Sequence, residues 1–161
     1  MESARIYIAL GSNIEPRAES LARACVLLQI ISEGEWCESP ITETEPVGPD
    51  GQARYLNQVV SFSSTRTPQA LLHFCKGAEI MLGRKPRGRW ESREIDLDLL
   101  YCGQAILRPS SSNGLELPHP RIAERLFVLE PLCALDPLWR DPMTGKTVQA
   151  MRDHLLPTEA P

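Results

Sequence analysis

The chain has 161 residues, 42% hydrophobic and 24% charged, a balance that supports one domain over 1–161 and excludes both a disordered chain and two independent cores. Seventeen Lys and Arg against twenty-one Asp and Glu give a net charge of -4, so no global positive field draws the chain to nucleic acid or anionic lipid, and any polyanion site has to be local. No apolar run is long enough for a membrane span and the start, MESARIYIALGSN, turns polar too soon for a signal peptide; a cytoplasmic monomer without nucleic-acid or membrane partners is the expectation.

Residues 5–10, RIYIAL, are β-branched and aromatic and predict a strand ending at the turn cluster Gly11-Ser12-Asn13. Pro16 suits a first helical turn, and Leu21, Ala24, Cys25, Leu28 and Ile31 recur at helical spacing along one face. Trp36 to Thr44 and Tyr55 to Ser63 predict a second and a third strand, separated by a functional loop with two Pro and two Gly in the seven residues 45–51. Thr67-Pro68 is an N-cap followed by proline, and Leu71, Leu72, Cys75, Ala78, Glu79 and Leu82 continue a helix that Gly83 closes. Ile95 to Tyr101 predicts a fourth strand with Ile95, Leu97, Leu99 and Tyr101 on one side and Asp96, Asp98 and Leu100 on the other. The order βαββαβ implies an α+β, ferredoxin-like antiparallel sheet with both helices on one face. C-terminal additions follow: a turn at 103–106 into a short edge strand, a polar loop at 109–114, a short helix opened by 117–121, a strand or extended segment at 127–132, and a helical tail at 147–156.

Five cysteines at positions 25, 37, 75, 102 and 133, an odd number with no C-x-x-C pair, argue against a disulfide framework or a zinc site and predict mostly buried thiols. Chemistry concentrates in three clusters. In Ile95-Asp96-Leu97-Asp98-Leu99, strand alternation sets the two aspartate Cα atoms about 6.6 Å apart with both carboxylates on one patch, where like charges need water or a cation; Mg²⁺ held by carboxylates and substrate phosphates fits. Residues 84–93 hold four arginines and one lysine, a basic loop in an acidic chain that calls for an anion, and a Mg²⁺-nucleotide triphosphate would satisfy loop and aspartates together. In LPHPRIAERLF, 117–127, Arg121 and Arg125 are four apart on one predicted helix face, with His119 at its start. Gly145-Lys146-Thr147 imitates a Walker A tail, but Arg140 stands where that loop needs glycine. His73 and His154 carry no such pattern.

With IALGSNI at 8–14, TEPVGPDGQARYLNQVV at 44–60, EIMLGRKPRGRWESREIDLDLLYCG at 79–103, LPHPRIAERLFVLEPL at 117–132 and WRDPMTGKTV at 139–148, the chain resembles the 6-hydroxymethyl-7,8-dihydropterin pyrophosphokinases of folate biosynthesis. The resemblance implies ATP as co-substrate, two Mg²⁺ ions, and transfer of a pyrophosphoryl unit to the pterin hydroxymethyl oxygen with release of AMP. It further implies metal ligation by Asp96 and Asp98, and a lid over ATP and pterin carrying Arg84, Arg89, Trp90 and Arg93. His119, Arg121 and Arg125 would contact nucleotide phosphates and Glu79 would face ATP. Tyr55 and Phe127 would stack on the pterin, Asn57 would read its edge, and the backbone around Thr44 and Val47 would bond to it. Glu91-Ser92 departs from the family's usual Gly-Pro. The rival from another class is a non-catalytic ferredoxin-like module holding nucleotide or RNA on an open sheet.

Overall fold

In the computed structural model, residues 2–48, 50–109 and 114–158 are described. The sheet is built on β1 (Ala4–Ser12), which runs two residues past the expected end: Gly11 and Ser12 remain paired to Asn57 and Leu56 rather than turning. β4 (Tyr55–Ser64) lies antiparallel to one side of it and β5 (Asp96–Cys102) antiparallel to the other. The predicted second strand is two pieces, β2 (Cys37–Glu38) and β3 (Thr42–Thr44), both on β4. Pro40 explains the break, since it has no N–H to donate, and Ser39 takes over by donating its N–H to Val59 O while its Oγ accepts from Val59 N. The spatial order, the β2/β3 segment, then β4, β1 and β5, is that of the ferredoxin-like sheet.

α1 (Arg17–Gln29) buries Leu21, Ala24, Cys25 and Leu28. α2 (Pro68–Met81) starts where the sequence indicated, with Thr67 Oγ1 accepting from Ala70 N, and ends at Gly83, whose φ of +92° lets Arg84 N–H reach Glu79 O. Both helices pack on the sheet face carrying Ile6, Ile8, Leu10, Val60, Phe62, Leu97 and Leu99. Burial of each such Leu, Ile or Phe contributes roughly 1.5–3 kcal/mol.

The opposite face is covered by the C-terminal additions. Residues 126–135 form α3 (Leu126–Leu135) rather than the expected strand, because Val128, Leu129, Leu132 and Cys133 bury one helical stripe and Pro131 is tolerated near the middle. α4 (Val148–Leu155) packs beside it, capped by Thr147 as the tail pattern implied. The expected edge strand after residue 103 reduces to a single bridge, Leu107 to Leu117, and positions 110–113 of the polar loop lie outside the described residues, as does Pro49.

β5 contains the decisive irregularity. Tyr7 pairs with Tyr101 but Ile8 pairs with Leu99, so Leu100 is an extra residue on the strand. Leu100 and Tyr101 therefore both enter the second core, and Tyr101 leaves the face predicted by simple alternation. All five cysteines are free and only Cys37 is not buried.

Tyr101 joins Tyr7 and Trp139 in an aromatic cluster, and its hydroxyl donates to Asp141 Oδ2 at 2.7 Å. Asp141 is 4% exposed and its Oδ1 accepts from the N–H groups of Met143 and Thr144, tying the 139–147 turn to the sheet. Asp141→Ala should lower unfolding free energy by about 2–3 kcal/mol and Tyr101→Phe by about 1–2, read from urea midpoints, because the first leaves a buried hydroxyl unpaired. Wild-type midpoints in both variants would show that this pair does not hold the C-terminal turn.

Candidate active site

α3 and α4 leave the far half of their sheet face open, and a cavity of about 280 Å³ occupies it. Its floor is Ala9 and Gly11 of β1, which lie opposite Val59 and Asn57 on β4 and opposite Asp98 and Asp96 on β5. A Cβ at Gly11 would stand in the cavity, 3.5 Å from both Asn57 Oδ1 and the Tyr55 ring. Small side chains in the central strand thus create the space. Tyr55 at the start of β4 and Phe127 in the first turn of α3 line it with Thr44, Val47 and Asn57. Asn57 Nδ2 donates to Thr44 Oγ1 at 2.6 Å, which fixes the amide in the wall. Such an aromatic-lined slot with few fixed polar groups suits a flat heterocycle.

Asp96 and Asp98 project from β5 at one edge of the slot, on one patch as alternation required. Desolvation raises the Asp96 carboxyl above its usual range and repulsion from Asp98 adds to this, while Arg84, Arg93 and Lys76 pull it down. Arg84 Nη1 lies 2.8 Å from Asp96 Oδ1 and Arg125 Nη1 lies 4.0 Å from Asp98 Oδ2. Among the described residues no three His, Cys, Asp or Glu side chains cluster as a closed metal cage. Two carboxylates on an open patch are the oxygen donor set that Mg²⁺ shares with substrate phosphates, so the residues present fit that ion.

His119 is set by the β5 bulge, because its N–H donates to the carbonyl of the extra residue Leu100 at 3.0 Å. Its Nδ1 accepts from Arg121 N at 3.2 Å, so the neutral ring carries its proton on Nε2. Burial, with Arg125 and Arg121 close by, lowers its pKa to about 4. The helix predicted here is one 3₁₀ turn (Ile122–Glu124). Arg121 and Arg125 bracket that turn rather than sharing a helix face, and both still line the cavity.

The roof is the 84–93 loop. Trp90, at φ 68°, has the Arg89 guanidinium 4.9 Å and the Arg121 guanidinium 5.1 Å from its ring centroid. Gln52 Nε2 donates to Trp90 O at 2.6 Å, and a side chain at Gly48 would meet that carbonyl at 2.5 Å, so glycine is required there. Asn13 Oδ1 accepts from Arg93 N, and Asn13 Nδ2 donates to Ser92 Oγ at 3.3 Å. Glu91 bonds to Gly88 N, while Arg87 pairs with Glu94, which holds Glu94 down to about 2.

Every predicted site residue lines this one cavity except Glu79 and Arg84. Those two are bonded to each other behind the aspartates, with Glu79 only 2% exposed. Sequence reasoning missed Ala9, Gly11, Asn13 and Gln52: a strand of small residues reads as a turn, and an amide that ties two loops together has no local signature. An open RNA-binding sheet is not favoured, since α1 and α2 cover one face and α3 and α4 part of the other.

The sequence profile described as 7,8-dihydro-6-hydroxymethylpterin-pyrophosphokinase (HPPK) matches residues 7–137. The chain belongs to this family. It is 41% identical to the 2-amino-4-hydroxy-6-hydroxymethyldihydropteridine pyrophosphokinase of Bacillus subtilis (strain 168), over 80% of this chain and 76% of that protein. It is 32% identical to the enzyme of the same name from Aquifex aeolicus (strain VF5), over 92% of this chain and 91% of the relative. Among solved structures, a crystal structure of HPPK-DHPS in complex with substrates superposes with a TM-score of 0.70 at 12% identity, covering 95% of this chain and 43% of that one. Wild-type Plasmodium falciparum HPPK-DHPS with STZ-DHP gives 0.72 at 12%, over 95% and 43%. The chain thus spans under half the length of those solved chains, and the likeness to them establishes the HPPK-type fold.

The His119 ring should stay neutral across pH 6–8 and gain its proton only near pH 4, seen in its NMR ring shifts. The sign follows from the lowered pKa: the unfolded chain binds the proton first, so this residue's contribution to stability falls as pH drops from about 6.5 towards 4. A midpoint near 6.5 in the folded protein would show that burial and the two guanidiniums do not hold the ring neutral.

Proposed function

We propose that this chain transfers the terminal pyrophosphoryl group of ATP to the hydroxymethyl oxygen of 6-hydroxymethyl-7,8-dihydropterin, releasing AMP, in folate biosynthesis. The observation that carries the reading is one cavity in which an aromatic-walled slot adjoins a strand-borne aspartate pair under a roof of arginines. Family membership agrees with it.

The pterin lies between Tyr55 and Phe127, its edge read by Asn57 and by backbone around Thr44 and Val47. This places its hydroxymethyl group beside Asp96 and Asp98. Those carboxylates would hold the two Mg²⁺ ions, which would supply neutralisation of phosphate charge there. Arg89, Arg93, Arg121 and Arg125 grip phosphate oxygens with guanidinium forks, and His119 adds an N–H without adding charge. The hydroxymethyl oxygen bonds to the β-phosphorus and gives up its proton to solvent. The bond from that phosphorus to the α,β-bridging oxygen breaks, and AMP leaves with the oxygen. Alignment and charge neutralisation do the work, consistent with the lack of an obvious protein nucleophile in the slot.

AMP should form from ATP only when both the pterin and Mg²⁺ are present, read by chromatography; AMP formation without the pterin would sink the reading. Asp96→Ala and Asp98→Ala should each lower kcat/KM by about 10³ or more, roughly 4 kcal/mol, with circular dichroism unchanged. Near-native turnover in either variant at saturating Mg²⁺ rejects the metal assignment. Tyr55→Leu and Phe127→Leu should each weaken pterin binding by roughly 0.5–1.5 kcal/mol in calorimetry, and unchanged affinity in both would remove the stacking.

A further inference from the structure

Behind the aspartates, one guanidinium nitrogen serves two carboxylates. Arg84 Nη1 is bonded to a Glu79 carboxylate oxygen and also lies 2.8 Å from Asp96 Oδ1. Glu79 is 2% exposed, and the same oxygen that holds Arg84 also accepts from Leu97 N, so this carboxylate is fixed to β5 between the two aspartates. Its other oxygen faces Lys76 Nζ at 3.3 Å. Arg84 itself follows directly on Gly83, at φ +92°, and its N–H donates to Glu79 O at 3.0 Å, so backbone and side chain both tie it to Glu79 at the root of the basic loop.

A divalent ion on Asp96 and a guanidinium on the same Oδ1 exclude each other by charge and by space. We propose that Glu79 and Arg84 form a built-in cationic placeholder on Asp96, which keeps divalent metal from the aspartate pair until a polyphosphate draws Arg84 away. The inference rests on the reading of Asp96 and Asp98 as metal ligands. Glu79 is a positioning residue here: it keeps Arg84 beside Asp96 and compensates the guanidinium when the loop is empty. Arg125 stands in the same relation to Asp98, more loosely at 4.0 Å. A nucleotide reverses the arrangement, because its phosphates offer the arginines a stronger anion and bring the metal with them. Free metal and nucleotide then bind with positive coupling, and the coupling is reciprocal. An ion alone meets a carboxylate already neutralised.

The test is titration with Mn²⁺, read by electron paramagnetic resonance of the free ion, on the full chain without nucleotide and with a non-hydrolysable ATP analogue. Arg84→Gln should tighten nucleotide-free Mn²⁺ binding roughly three- to fivefold, the worth of a partly exposed ion pair. It should not tighten binding with the analogue present, so that the coupling shrinks. Arg84→Lys, which keeps the charge, should stay near wild type. Lys76→Gln removes an equal charge from the far side of Glu79 and should shift Mn²⁺ affinity less than about twofold, since it does not touch Asp96. Equal shifts in Arg84→Gln and Lys76→Gln, or none in Arg84→Gln, overturn the placeholder. Asp98→Asn separates the two ideas. If it abolishes Mn²⁺ binding while Arg84→Gln changes nothing, only the placeholder falls; if it leaves Mn²⁺ binding intact, the metal site itself is elsewhere and both fall.

Discussion

Two carboxylates two residues apart on one strand face are the constraint around which this molecule is arranged. Asp96 and Asp98 repel each other, and Asp96 is desolvated as well, so the fold has to deliver positive charge to one patch of the sheet. It does so from unrelated stretches of chain: Arg84 and Arg93 from the two ends of the loop before β5, and Arg125 from beyond the 3₁₀ turn. None of these arginines is buried deeply enough to be a structural ion pair alone. Arg84 and Arg125 keep enough exposure to exchange their carboxylates for phosphate in the proposed loaded site, whereas Arg93 would exchange loop carbonyls.

The sheet supplies the rigid frame this exchange needs. Gly11 and Ala9 keep the middle strand bare on the working face while their neighbours Ile8 and Leu10 bury fully on the other, so the cavity is cut into the sheet without loss of the first core. The bulge at Leu100 adds a second service. By turning the carbonyl of an extra residue towards His119, it fastens the LPHPR segment to the strand that carries the aspartates. Groups that act together on a polyphosphate in the proposed function are thereby referenced to β5, and rigid elements hold such geometry better than loops do.

Much of this was legible in the sequence. Alternation of leucine with aspartate predicted the shared patch, caps at Thr67 and Gly83 bounded α2, and the order of elements gave the ferredoxin-like sheet. What was not legible depended on partners distant in sequence. Tyr101 changes face because β1 and β5 slip by one residue, a property of the pairing and not of either strand. Residues 126–135 are apolar enough for strand or helix, and only the stripe they bury against Tyr7, Val59 and α4 selects the helix. Trp36 to Thr44 alternates as a strand should, yet Pro40 cannot donate to the ladder and divides it.

The roof shows how a departure from the family's usual pattern is absorbed. Where glycine and proline would set the backbone directly, Glu91 and Ser92 set it through hydrogen bonds: the Glu91 carboxylate ties back to Gly88 N, and Ser92 Oγ sits between Asn13 and Gln52. The two arginines nearest in the loop are engaged elsewhere: Glu94 takes Arg87 and Arg89 lies over the Trp90 ring. Trp90 occupies the left-handed region, which an L side chain enters only when its surroundings hold it, at about 1–2 kcal/mol. Gln52 grips its carbonyl, Gly48 leaves room for that grip, and Arg93 spends its donors on the carbonyls of Gly88, Glu91 and Ser92. Arg93 therefore holds the roof in the empty site and grips phosphate in the proposed loaded one. In the proposed function, closing over a nucleotide and loosening the loop's own backbone would be one event for this side chain, which would link the height of the roof to the charge beneath it.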